Sequence, residues 1–354
     1  MRFSNFLFPE SRDQDRDGII LDQVMDEVRL TERLGYDTVW LSEHHFDGNC
    51  AYVDPISFAA ALATATSRIR IGLAVAQMSL HHPIRLAEQL SLIDHLSKGR
   101  LTVGIGRGTA YNVYEYQGYG IDAAESQARF EEATGILLQA WTSEHGFRHQ
   151  GRFWDLNVPV LRPRPFTRPH PFTIHAASGE ASLVELGALG KPFLMNVQSN
   201  DTTRHRIGAW RSAARAHGHA EAHIDAALER SWVWRNVFVA ETDAEAERTG
   251  LPAFHAMQEH RAAMRQRVER EQGVTIAKPA GAPVARTDPR HALLYGSVAT
   301  VAEQLAEVEA TGVGGVILTF RLGPLSHEHT TASLTRFMDQ VVPLTGKPAL
   351  QKVA

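Results

Sequence analysis

Glu43, His44 and His45 set a carboxylate beside two imidazoles directly after the apolar run Thr38–Leu41. An imidazole next to a carboxylate serves as a general base or a hydrogen-bond donor, because its ordinary pKa of about 6.5 lets it hold or release a proton near neutrality. A metal is the competing use, with His81, His82 or His175 as further ligands. Adjacent residues on an extended segment point opposite ways and no HExxH spacing occurs, so the sequence argues against a metal.

Two more clusters have chemical character. Gly104-Ile105-Gly106-Arg107-Gly108 reads G-x-G-x-G and runs into a loop rather than a helix, which is a poor dinucleotide fingerprint. Small residues there would let a flat ring or a phosphate approach, and the Arg107 guanidinium offers a fork of donors suited to phosphate, with a plain salt bridge as the alternative. Ala177-Ser178-Gly179-Glu180 adds a hydroxyl and free backbone N–H groups where a helix begins, a second anion-binding device.

Elements of alternating type must position these clusters. Arg2–Phe8 reads as a first strand. Leu21, Val24, Met25 and Val28 then mark a helix that stops at Leu34-Gly35, before the strand Thr38–Leu41. Asp54-Pro55 and His82-Pro83 each open a helix, and RIRIGLAV and LTVGIG supply strands three and four. PFTIHAA, KPFLMNV, Trp232–Ala240 and GGVILTF give strands five to eight. Strands alternating with helices predict a parallel sheet with helical crossovers, here a TIM-type (β/α)8 barrel forming a single domain over residues 1–354. Two stretches break the alternation. Residues 145–171, after strand four, read as an inserted hairpin and loop; residues 248–297, after strand seven, read as an inserted helix and a mobile lid loop.

The composition narrows the partners. With 44% hydrophobic and 21% charged residues and a net charge of -4, the chain has no basic face for nucleic acid and no polybasic membrane patch. No segment approaches the ~18 apolar residues of a membrane span, so a cytoplasmic protein acting on a small molecule is expected. The single cysteine, Cys50, excludes an internal disulfide and is either a packing residue or a free nucleophile. Phe6, Phe8, Trp40, Phe46, Tyr111, Tyr114 and Tyr116 could line an apolar pocket or simply fill the core.

EHHF at Glu43–Phe46, His82-Pro83 with a helix ending in SKGR, VGIGRG at Val103–Gly108, AASGEAS at Ala176–Ser182 and GSVATVAEQL near the C-terminus follow one another in an order that resembles the bacterial luciferase-like monooxygenase family. The resemblance implies a TIM barrel, usually a homodimer. It implies an enzyme that uses reduced FMN from a separate flavin reductase, and dioxygen, to oxygenate a small organic substrate through a flavin hydroperoxide. A deazaflavin-dependent oxidoreductase and a non-catalytic flavin-binding member are the alternatives on the same scaffold. His44 matches the family's active-site histidine, with Glu43 and His45 beside it. Arg107 matches its phosphate arginine, and Ser178 and Gly179 its serine and backbone phosphate contacts. Ala74-Val75 falls where members often carry a cis peptide against the flavin ring. Gly106 stands where luciferase has a reactive cysteine, so thiol chemistry is not expected. Arg129 is the nearest candidate for a second phosphate arginine, although an ungapped register places Gln127 there. Substrate identity is not implied, and light emission is not expected.

Overall fold

Strand-forming runs and helix stop signals alternate along the chain, and in the computed structural model, which describes residues 1–108, 112–276 and 283–345, they alternate in space as well. β1 (Arg2–Leu7), β2 (Thr38–Leu41), β3 (Arg70–Gln77) and β4 (Leu101–Gly106) precede a small antiparallel hairpin of β5 (Phe147–Gln150) and β6 (Asp155–Val158). β7 (Phe172–Ala177), β8 (Phe193–Met195), β9 (Trp232–Val239), β10 (Leu293–Gly296) and β11 (Gly315–Thr319) follow. The pairings of the large sheet are parallel, and the order β1-β2-β3-β4-β7-β8-β9-β11 returns to β1, which closes the expected eight-stranded barrel.

The helices form where the capping chemistry predicts. α1 (Asp17–Leu34) ends on Gly35 in the left-handed conformation that its C-terminal turn requires (φ 84°). α2 (Pro55–Ala65) starts on the Asp54 carboxylate, which accepts the amides of Ile56 and Ser57, and α3 (Pro83–Leu96) starts on its proline. α5 (Ser126–Thr142), α6 (Glu180–Ala188), α7 (Asn200–Ala216) and α8 (Glu221–Glu229) continue the outer layer, after a short α4 (Val113–Gly118) that sits on the mouth of the barrel.

Side chains fill the barrel, so it is a packed core with a site only at its rim. Phe6, Trp40, Ile174, Leu194, Trp232 and Ile317 form the interior cluster, while aliphatic residues between strands and helices form a larger outer one. Trp40 fits because Gly72 faces it: a Cβ there would lie 2.2 Å from the indole Cε3. Each such aromatic contributes about 1.5–3 kcal/mol of burial.

Three features depart from the sequence reading. The second insertion begins earlier than residue 248, in a 30-residue helix α9 (Asp243–Gln272) whose N-cap Thr242 accepts the amide of Glu245. Its far end is not loop alone: Pro283–Thr287 and Pro289–Ala292 are short helices, and LLYG forms β10 alongside the upper half of β9. A four-residue apolar run carries too little period to be told from a loop end. Residues 277–282, the middle of the expected lid, lie outside the described residues, as does Tyr111. Among the described residues no helix is long and apolar enough to cross a membrane.

Candidate active site

The polar cluster sits at the C-terminal ends of β2, β3 and β4, where loops converge over the packed interior. β2 delivers Glu43, and its carboxylate is saturated. Oε1 accepts from His45 Nε2 at 3.0 Å and His81 Nε2 at 2.7 Å, and Oε2 accepts the Gln77 amide at 2.7 Å. Gln77 Nε2 returns a bond to the Glu43 carbonyl at 2.9 Å, so the ends of β2 and β3 are clamped together. Burial pushes the Glu43 carboxyl up, but His81 and the three donors outweigh it and hold the group down at about 2. The same pairing raises His81 above the ordinary imidazole value against the pull of its own burial. The Tyr119 hydroxyl lies 3.2 Å from His45 Nδ1, so both ring nitrogens of His45 have a partner.

His44 faces a different carboxylate. Glu115 comes from α4 and is fully buried; its Oε1 lies 3.3 Å from His44 Nδ1 and accepts the His45 amide at 3.1 Å. Its Oε2 has no partner among the described residues. The His44 ring is 34% exposed, against 7% for His45, and packs edge-on to Phe8 at 5.4 Å. Desolvation lowers the His44 pKa, and the Glu115 bond and charge reverse the sign and raise it. With Nδ1 committed to Glu115, Nε2 is the ring nitrogen free to exchange a proton.

On the neighbouring strand end, Arg107 forms no ion pair among the described residues and donates Nη1 to Gln127 Oε1 at 3.1 Å. Its carbonyl is held by Tyr116 Oη at 2.7 Å and Ser79 Oγ at 3.0 Å. β4 and β7 pair with Ile105 opposite His175, so Arg107 and Ser178-Gly179 follow the ends of two neighbouring strands. Gly179 caps α6 without any side-chain bond, and Ser178 is exposed. Arg129 stands apart: it pairs with Glu125 at 3.1 Å and lies 4.3 Å over the Phe153 ring of the hairpin loop. The Ala74-Val75 peptide is cis, at the irregularity in the β3–β4 register. Gly106 does not leave open space, because a Cβ there would meet Val75 Cγ2 at 2.4 Å.

Several expected participants fall elsewhere. Burial pushes the Cys50 thiol up to about 12, which removes it as a nucleophile, and holds His175, beside Lys191, down at about 4. Phe6, Trp40, Tyr114 and Tyr116 are core residues, while Phe46 is 47% exposed and packs on Tyr119 and Gly118. Sequence reasoning missed Glu115 and the pairing role of His81. The one available signal for Glu115 is the acidic residue inside Tyr114-Glu115-Tyr116, where a helical turn between two large aromatics must bury it.

The profile of the luciferase-like monooxygenase family matches residues 1–315. The oxygenase component of a flavin-dependent trigonelline monooxygenase from Acinetobacter baylyi is 30% identical over 172 residues, 48% of this chain and 47% of that one. The chain spans about half the length of the curated relatives it matches first. Monooxygenase RslO1 from Streptomyces bottropensis superimposes with a TM-score of 0.80 at 24% identity, covering 97% of this chain and 99% of that one. The oxygenating constituent of 3,6-diketocamphane monooxygenase from Pseudomonas putida, solved with FMN, gives 0.76 at 21% identity over 97% and 98%. The likeness to these two structures is one of fold; with the profile match, the chain belongs to the luciferase-like monooxygenase family.

Proposed function

We propose that the protein is the oxygenase component of a two-component flavin-dependent monooxygenase that binds reduced FMN, delivered by a separate flavin reductase, and oxygenates a small organic substrate. The observation that carries this reading is the His44–Glu115 pair: an imidazole at the barrel mouth with one nitrogen fixed on a buried carboxylate and the other free. The site residues fit the flavin. Arg107, with no carboxylate partner, and the uncapped start of α6 at Ser178-Gly179 would hold its phosphate, and Ala74-Val75 would face its ring. Arg129 would contribute charge from the next turn of α5. When bound, reduced FMN supplies the reaction with dioxygen.

The chain's own residues then have three tasks. Glu115 orients the His44 ring and favours its protonated form; His44 Nε2 gives or takes the proton that oxygen transfer requires; the aromatic rim and α9 exclude water. Glu43 and His45 act by holding the strand end that carries His44. A homodimer in the cytoplasm is the assembly this reading implies. The test is a titration of the purified protein with anaerobically reduced FMN, followed by admission of dioxygen and a stopped-flow absorbance scan. Saturable binding and a long-lived oxygenated flavin spectrum are expected. Binding of a reduced deazaflavin in place of reduced FMN, or of neither, would overturn the assignment.

A further inference from the structure

Helix α9 crosses the rim of the barrel and is fastened there at two points. Arg12, on the loop after β1, donates to the Ala256 carbonyl at 3.3 Å, and Arg267 donates to the Asp47 carbonyl, on the loop after β2, at 3.1 Å. Those two loops are themselves joined, through the amide of Ser11 on the Asn49 carbonyl and that of Ala51 on the Pro9 carbonyl. Between the two fastenings stands Arg261. Its guanidinium carbon lies 4.7 Å over the Phe8 ring, and Phe8 packs edge-on to His44. Arg261 and His44 therefore flank one aromatic ring at the mouth of the site.

Among the described residues the guanidinium has no ion pair. Its Nε is buried with no hydrogen-bond partner among the described residues, and no described carboxylate lies within ion-pair distance. Glu10 is the carboxylate with the largest effect on Arg261; its Oε1 takes both the Nε and the Nη2 of Arg12, at 3.0 and 2.8 Å, and its Oε2 has no hydrogen-bond partner among the described residues, so it does not reach Arg261 as an ion pair. Asp47 accepts the amide of Asn49. Arg12 pairs with Glu10 and Arg267 with Glu271, whereas Arg261 rests on an aromatic face beside the catalytic imidazole. A half-buried cation without a counter-ion is costly, and the cost is offset when an incoming anion completes the pair.

We infer that Arg261 is a substrate-binding residue and that the substrate carries a carboxylate, seated on the guanidinium with its apolar part against Phe8. This rests on the monooxygenase reading for the chemistry that follows binding, but not for the binding itself. The experiment is anaerobic calorimetric titration of the purified protein, with and without reduced FMN, using benzoate and octanoate against benzamide and octanamide. The acids are expected to bind at least about tenfold more tightly than their neutral amides, as a charge-assisted contact gives. Arg261→Gln should abolish that preference and Arg261→Lys should keep part of it, with FMN affinity as in the wild type for both. Equal binding of acids and amides, binding of neither, or a preference that survives Arg261→Gln overturns the inference. Failure of the wild type to bind reduced FMN with the acid preference intact would instead strike the monooxygenase reading and leave Arg261 as an anion-binding residue.

Discussion

Glu43 and Glu115 are both withdrawn from solvent and both bond His45, yet they are held in opposite ways. Glu43, at the end of β2, has both oxygens occupied by three donors drawn from two strand ends. Glu115, on α4, commits one oxygen to the His44 ring and the His45 amide and leaves the other bare among the described residues. A saturated buried carboxylate is a fastening, because removing it strands every donor that met it. A half-satisfied one is poor as a fastening, and its charge is directed at the one imidazole of the pair that reaches the mouth. On the proposed function, the comparison gives Glu43 a part in stability and Glu115 a part in the chemistry, although the two residues look alike in type and burial.

The widest gap between the two is expected in catalysis. His44→Ala should lower oxygenation by about 10²–10⁴-fold, the usual worth of a positioned acid–base group, while reduced-FMN affinity stays as in the wild type. An equal loss of flavin affinity would mean that His44 is part of the binding wall instead. Next in size, Glu43→Ala should cost about 3–5 kcal/mol of stability, read as an earlier thermal or urea transition, because His45, His81 and the Gln77 amide lose a shared buried acceptor. A transition at the wild-type position would remove the fastening role. Smaller again, Glu115→Gln should cost about tenfold in turnover and leave the transition nearly in place. Its signature is in the pH profile: the limb that vanishes in His44→Ala should move to lower pH, because Glu115 is what raises the His44 pKa. An unmoved limb in a folded Glu115→Gln protein would reduce Glu115 to packing.

This division was only partly legible in the sequence. The barrel was, because strands such as Thr38–Leu41 are short apolar runs bounded by strong stop signals, Gly35 before and the Glu-His-His cluster after. The position of Glu43, His44 and His45 at a strand end followed from that alone. Which carboxylate serves which histidine did not, since Glu115 lies 71 residues from His44 and reaches it only after β3, α3 and β4 have folded back. α4 itself is too short to show a helical period, and its burial comes from Tyr114 and Tyr116 rather than from a stripe. Arg107 and Gln127 likewise meet across two elements, so the choice between Gln127 and Arg129 became geometric: one faces Arg107, the other packs on Phe153. In the sequence Arg261 has the character of a solvated helix face, because it stands among Arg265, Arg267 and Arg270. Only the crossing of α9 over β1 sets it apart.

The smallest effect separates the two carboxylates by sign. Glu43 is held down at about 2 from an ordinary 4.5, so its contribution to stability is complete above about 4.5 and is lost as the pH falls through 2. His44 is raised, so its contribution is complete below the ordinary imidazole value of about 6.5 and is lost as the pH rises through its folded value. That second term is the weaker one, because solvent screens a ring that is 34% exposed. Glu43→Gln should flatten the acid limb of a stability-against-pH curve and also soften the alkaline side, since His81 is raised by the same carboxylate. Glu115→Gln should soften the alkaline side, through the loss of the carboxylate that raises His44. Urea midpoints of the two variants measured from acid to mildly alkaline pH would decide it: an alkaline side unchanged by Glu115→Gln would mean that Glu115 does not set the charge of His44, and the separation of fastening from chemistry would fail with it.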